Sequence, residues 1–164
     1  MLLQLRPLFM GEISSLAVDE NLDFSNEEFN GQKPFKTPVN VKGTVTASAD
    51  VVLLRAEISF VYDGVCDRCL SSYKKAYRMP IEHILVDNLS NDENDDFILL
   101  QQYQLPLDDL VLTDVLLELP YKSLCKEDCK GLCSSCGKNL NAGPCDCKSD
   151  TVDPRLEVLR QLIK

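Results

Sequence analysis

The sequence holds a single histidine, His83, and no stretch nearing the roughly 20 apolar residues of a spanning helix. It has no glycine-rich phosphate loop and no serine in a nucleophile-elbow setting. Those absences leave little for nucleotide or acyl chemistry, and they assign His83, on the face of an expected strand, a structural role. Positive charge is scarce as well. The chain sets 17 lysines and arginines against 26 aspartates and glutamates, a formal charge of −9 with a pI near 4.6. Non-specific affinity for nucleic acid comes mostly from Lys and Arg displacing counterions, so a general phosphate-binding protein is excluded. Any contact with RNA has to be local, or run through a basic partner protein. The N-terminal Leu2–Met10 is interrupted by Gln4, Arg6 and Pro7, too short and broken for a signal peptide, and the expected location is the cytoplasm.

What is present is 164 residues with 45% hydrophobic side chains, enough for one ordinary domain with a small module attached. From Thr37 to Val86 the chain reads as a β-meander. Val39–Thr46, Val51–Tyr62 and Tyr73–Val86 are the strands, with Met79, Ile81, His83 and Leu85 on one face of the last. Leu2–Met10 is a candidate further strand, and 19–38 reads as irregular connection. Residues 87–96 carry five acids in ten and read as a solvated loop. A calcium loop starting at Asp92 is rejected because Phe97 stands where glycine is needed. Phe97–Gln101 is a short strand, and a helix then runs from Pro106 to Leu119, stopped by Pro120. Its apolar residues cover most of the wheel, so it is buried on more than one side or holds a partner. Asp108, Asp109, Asp114 and Glu118 are its polar positions. Asp153-Pro154 opens a C-terminal helix. The expected fold is α+β: an antiparallel meander of five or six strands, one long packed helix and a cysteine-rich C-terminal segment. The expected division is a core at 1–120, a cysteine module at 121–150 and a terminal helix at 151–164.

Eight cysteines in a reducing compartment call for something other than disulfides. They fall as Cys66-x2-Cys69, then Cys125, Cys129, Cys133-x2-Cys136, Cys145 and Cys147. Zinc takes four tetrahedral ligands, and thiolates offered in close pairs let one loop supply two of them. Glycine after Cys136 lets the backbone fold back over the sulfurs. Cys133, Cys136, Cys145 and Cys147 form one expected site; Cys66, Cys69, Cys125 and Cys129 form a second, pinning a hairpin tip to the segment after the helix. Zinc is favoured over iron–sulfur because no cluster-type spacing is present. Two rival readings remain: a thiol oxidoreductase using Cys66 and Cys69, and a zinc-ribbon adaptor that captures other proteins.

Cys66-Asp-Arg-Cys69-Leu70 after a meander, Leu107-Asp-Asp-Leu110 leading to Leu119-Pro120, then Cys129-Lys-Gly-Leu-Cys133, Cys136-Gly-Lys-Asn-Leu-Asn141, Cys145-Asp-Cys147 and Asp153-Pro-Arg155 resemble the YceD family. That group is named for accumulation of large-subunit ribosomal RNA. The resemblance runs from about residue 40 to the end. It implies a non-enzymatic factor that supports accumulation of large-subunit ribosomal RNA during processing or early assembly, with no catalytic residues to carry over. The expected partners are the ribosomal RNA precursor or basic ribosomal proteins, with no membrane and no small-molecule substrate. Residues 121–148 carry five lysines against three carboxylates. A zinc tetrathiolate carries a net −2 and would cancel that surplus, so this segment by itself offers RNA no strong basic face, and basic ribosomal proteins match the acidic surface better.

Overall fold

Burial of alternate residues organises the chain. In a computed structural model, which describes residues 1–48, 51–87 and 97–147, the central strand β4 (Val51–Val65) buries Val52, Leu54, Ala56, Ile58, Phe60 and Tyr62. The residues between them point the other way and are exposed or half-buried, as a strand with one covered face requires. β3 (Val39–Ser48) and β5 (Ser72–Val86) flank it antiparallel, and their register sets Val41, Ile58 and Met79 side by side on the covered face. β2 (Ser15–Leu22) pairs with β3, and β6 (Phe97–Leu99) lies beside the end of β5, giving the order β2-β3-β4-β5-β6.

A second sheet of two strands, β1 (Leu2–Gln4) and β7 (Gln104–Pro106), sits with α1 (Arg6–Phe9) and α2 (Leu107–Glu118) against the covered face. Leu5, Leu8, Leu105, Leu107, Val111 and Val115 join the sheet residues and Phe24 and Phe35 in one hydrophobic core. The opposite sheet face holds exposed and half-buried residues. It carries the cross-strand pairs Lys42–Asp19 and Arg55–Glu82, each at 2.9 Å and each exposed enough to contribute little to stability. His83 Nε2 lies 2.8 Å from Asp114 Oδ2, which ties β5 to α2. No helix among the described residues is long and apolar enough to cross a membrane.

The α+β class and the meander stand, with four corrections. The sheet is not wholly antiparallel: β6 runs parallel to β5, with Leu85 opposite Ile98. Leu2–Met10 is not one strand. Pro7 has no N–H for a ladder and a preset φ, so the chain turns from β1 into α1. The stretch 19–38 is not all irregular, because Asp19–Leu22 completes β2. Asp19 and Glu20 obscure that strand's alternation, yet at a sheet edge such charges are tolerated and discourage unwanted pairing. The packed helix ends at Glu118, and on it Val111 and Val115 are buried while Leu117 is 81% exposed. The expected C-terminal helix and almost all of the acidic loop lie outside the described residues.

Gly43 of β3 lies opposite Ala56 of β4, with no room for a side chain between them. A Cβ at this position would overlap the Arg55 carbonyl oxygen and the Ala56 backbone. Gly43→Ala is therefore expected to destabilise the domain by about 1–3 kcal/mol, the usual cost of overpacking. It should lower the urea midpoint of unfolding with little change in its slope.

Candidate metal centres

The hairpin between β4 and β5 ends in a loop that sequence spacing placed at a tip. Cys66 N–H donates to the Ser71 carbonyl at 3.0 Å, and Leu70 N–H donates to the Cys66 carbonyl at 2.9 Å. The second loop repeats this pattern. Cys133 N–H donates to the Lys138 carbonyl and Gly137 N–H to the Cys133 carbonyl, both at 2.9 Å. The residue after each second cysteine is left-handed, Leu70 at φ 55° and Gly137 at φ 72°. Glycine adopts this conformation freely. For Leu70 it costs on the order of 1–2 kcal/mol, and its side chain, 65% exposed, offsets little of that by burial.

The fold brings all eight cysteines into two sets of four, divided as the spacing proposed. In each set the four Sγ atoms lie within 4.8 Å of one another. Cys66 and Cys129 are 3.8 Å apart, Cys69 and Cys125 3.7 Å, and Cys133 and Cys145 3.4 Å. Sulfurs bound to one tetrahedral zinc at about 2.3 Å would sit about 3.8 Å apart, so both sets fit such an ion. The sets differ in exposure. Cys66, Cys69 and Cys129 are buried and packed by Tyr73, Leu124 and Leu132, whereas Cys136 and Cys147 are exposed.

The thiols show why such a group calls for a cation. Burial pushes the Cys66 thiol up, but N–H groups from Cys125, Cys69 and Arg68 outweigh it and bring the thiol down to about 6. N–H groups of Cys136 and Ser135 likewise bring Cys133 to about 6. The last protons are hard to remove. Cys125 is pushed up to about 12 by burial and by its bond to Cys69, and Cys147 to about 12 by its bond to Cys136 and by burial. Each set thus joins a thiol that ionises readily to one that resists ionisation, a conflict that a divalent cation relieves.

Polar contacts outside the cysteines dock the segment after α2 onto the hairpin. Asp67 N–H donates to the Ser123 carbonyl at 2.8 Å, and Ser123 N–H returns a bond to Asp67 Oδ2 at 2.7 Å. The Ser123 hydroxyl meets the buried Tyr62 hydroxyl at 3.0 Å. Leu132 N–H donates to the Arg68 carbonyl, and Arg68 Nη1 donates to the Cys129 carbonyl. Gly131, at φ 74°, passes so close to the Arg68 carbonyl that a Cβ would stand 3.1 Å from it. Asn141 lies in sequence between Cys136 and Cys145 but serves the other set. Its Nδ2 donates to Cys129 Sγ at 3.3 Å, and its Oδ1 accepts from Lys130 N–H at 2.9 Å. Sequence reasoning assigned no role to Asp67, Ser123 or Asn141. Asn141 lay within a quoted motif, so its presence was visible though its target was not.

A family model described as "Large ribosomal RNA subunit accumulation protein YceD" matches residues 54–163. The chain belongs to the YceD family. The match begins inside β4 and takes in all eight cysteines. Similar curated proteins are themselves named only as uncharacterized. YlbN of Bacillus subtilis (strain 168) is 27% identical over 134 residues, covering 78% of this chain and 76% of that protein. Rv2926c of Mycobacterium tuberculosis (strain H37Rv) is 26% identical over 123 residues, covering 73% of this chain and 59% of the relative. ML1660 of Mycobacterium leprae is 25% identical over 121 residues, covering 71% and 55%. This YceD chain thus spans less than two thirds of the length of the mycobacterial relatives it matches. No solved structure matches it.

Concavities also lie elsewhere. One, of 860 Å³, is at the opposite end of β4 from Cys66, and its ionisable lining residues are Glu12 and Asp87. A shallower groove of 300 Å³ holds the His83–Asp114 pair between Met79 and Leu117, with no serine, threonine, cysteine or lysine in its lining. The thiols are the dense chemistry of the described residues.

Asn141→Ala removes the side-chain donor to Cys129 and the acceptor for Lys130. Outer partners of metal ligands typically contribute about 10–100-fold to metal affinity. Loaded with zinc as the probe metal, the variant should release the ion from the Cys66/Cys69/Cys125/Cys129 set to a chelator at correspondingly lower concentration, with the second set unaffected, as read by a colorimetric zinc indicator.

Proposed function

We propose that this protein is a non-enzymatic factor supporting accumulation of large-subunit ribosomal RNA, built around two structural zinc ions. The family match carries the ribosomal half of this reading. The convergence of eight thiols into two closed four-sulfur sets carries the zinc half. Four protein ligands complete a structural zinc and leave no position for a reacting water. Zinc in these sets contributes folding free energy to a segment with few apolar anchors. The protein acts by binding in the cytoplasm, with the ribosomal RNA precursor or basic ribosomal proteins as partners and no small-molecule substrate.

The rival thiol oxidoreductase needs an accessible attacking sulfur at Cys66 or Cys69. Burial of both, within reach of Cys125 and Cys129, favours the metal reading. A zinc-ribbon adaptor unrelated to ribosomes shares the same metal chemistry and differs only in what is captured. An affinity pull-down at near-physiological salt, with bound RNA sequenced and bound proteins identified, separates them. Enrichment of large-subunit ribosomal RNA or ribosomal proteins is the expected outcome.

Native protein should contain two zinc ions per chain by elemental analysis, with its thiols protected from alkylation until a chelator is added. No zinc together with freely reactive thiols would sink the proposal. Cys136→Ser should make residues 121–147 far more sensitive to limited proteolysis than Cys66→Ser makes the sheet, because the sheet keeps its own core.

A further inference from the structure

Charge in this protein is sorted by position. The described residues include thirteen lysines and arginines, and eight of these have no carboxylate within 4.0 Å among the described residues. Seven of the eight, all but Arg6, fall in the stretches 32–36, 62–78 and 121–147. The fold gathers these stretches toward the thiol end of the molecule, with Arg78 the furthest from it, opposite Ser59 near the middle of β4. Asp63 N–H bonds to the Pro34 carbonyl, Val65 N–H to Gln32 Oε1, and Ser123 and Leu132 to the hairpin tip. Together they hold ten cations and five carboxylates, while the other described residues hold three cations and thirteen carboxylates. Two zinc tetrathiolates would remove four charges from that surplus of five. The thiol end then stands near neutrality with its cations at the surface, on a molecule that is otherwise strongly acidic.

Within that end the backbone presents one aromatic ring to solvent. Tyr121 is 91% exposed. It is not a loose side chain on a long loop, because Leu119 is buried on one side of it and Ser123 is buried and doubly bonded to Asp67 on the other. The turn also carries Lys122, and the Asp67–Ser123 bonds set it against the hairpin tip that holds Arg68, whose guanidinium donates to the Cys129 carbonyl. An exposed ring on an anchored backbone, next to Lys122 and on the same end of the molecule as further cations without carboxylate partners, is an arrangement that receives an unstacked base and its flanking phosphates. A basic ribosomal protein would instead meet Lys122 and Arg68 as like charges.

We propose that the Tyr121–Lys122 turn, together with the Arg68 end of the β4–β5 hairpin, is a local contact for single-stranded RNA, with a base stacked on Tyr121 and adjacent phosphates on the cations. The proposal rests on the ribosomal reading only for the source of the strand. Because few phosphates are neutralised, binding is modest and its salt dependence shallow. Each phosphate contact contributes about 0.7 to the slope of log affinity against log salt for a single strand.

The test is a fluorescence-anisotropy titration of the full-length, zinc-loaded chain with labelled single-stranded fragments of large-subunit ribosomal RNA, at several salt concentrations. Tyr121→Ala should weaken binding by about tenfold, in the range seen for loss of one base–aromatic stack, while Tyr121→Phe keeps it. Lys122→Gln should lower the salt slope by about 0.7. Both side chains are exposed, so zinc content and thermal unfolding should match the parent protein. Arg68 is left intact because it also bonds to the Cys129 carbonyl. Equal affinity of Tyr121→Ala and the parent would overturn the proposal, as would binding of a basic large-subunit protein at this turn with no RNA binding. Ribosomal RNA levels in cells lacking the gene test the wider function separately. Normal levels alongside Tyr121-dependent RNA binding would remove the ribosomal role and leave the surface. Reduced levels with Tyr121-independent binding would do the reverse.

Discussion

The joint between the β4–β5 hairpin and the chain after α2 is the constraint on which the rest of the architecture depends. Cys69 and Cys125 are 56 positions apart in sequence, and Cys66 and Cys129 are 63 apart, yet both pairs meet at about one tetrahedral edge. Closing loops of that length costs entropy that grows only logarithmically, so a strong local tether suffices to hold them. The Asp67–Ser123 bonds, the buried Tyr62–Ser123 hydroxyl contact and the apolar cover of Tyr73, Leu124 and Leu132 surround the thiols. The ionisation of the thiols indicates what completes the tether: N–H groups lower the Cys66 thiol while burial and the neighbouring sulfurs raise that of Cys125, so a cation is needed for all to be thiolates together.

The two thiol sets are mechanically coupled. Asn141 reaches back from the loop of one set to a sulfur of the other, and Asn139 bonds to Ser71 on the hairpin. Loss of order in the exposed set would therefore remove a donor from the buried one. The hairpin in turn extends through β4 into the centre of the sheet, where Phe60 stacks on Tyr77 at 5.2 Å and Tyr62 meets Tyr73 and Phe29. The sheet supplies a rigid platform, and the segment it carries has little hydrophobic interior of its own.

That arrangement resolves an electrostatic difficulty. An acidic protein can present a cation-bearing end if the fold separates the two kinds of charge. Outside the thiol end, Lys42 and Arg55 are each consumed by a carboxylate across the sheet, which leaves the acidic majority unopposed there. At the thiol end the cations come from three stretches distant in sequence, so no single window shows the surplus.

Much of this was legible from residues alone. The spacing of cysteines, with glycine after Cys136, determined the two four-thiol sets, because a Cys-x2-Cys loop has one compact way to offer both sulfurs to an ion. Alternation determined the meander and the inward faces of β4 and β5, because strand side chains repeat every two residues. Pro120 and the acids after Pro106 bounded α2 in the same local way. What only the tertiary structure decided are features made by contacts between distant segments. β6 lies parallel because it pairs at one end of β5 after a long connection. β2 is a strand because β3 offers it a partner, despite the charges that hide its alternation. Asn141 serves the thiol set it does not adjoin in sequence. Tyr121 and Lys122 stand on a turn whose backbone is fixed because Ser123 is locked to Asp67 on the hairpin. Local periodicity reports which face a residue turns inward, whereas partner choice and charge clustering depend on where distant stretches of chain come to lie.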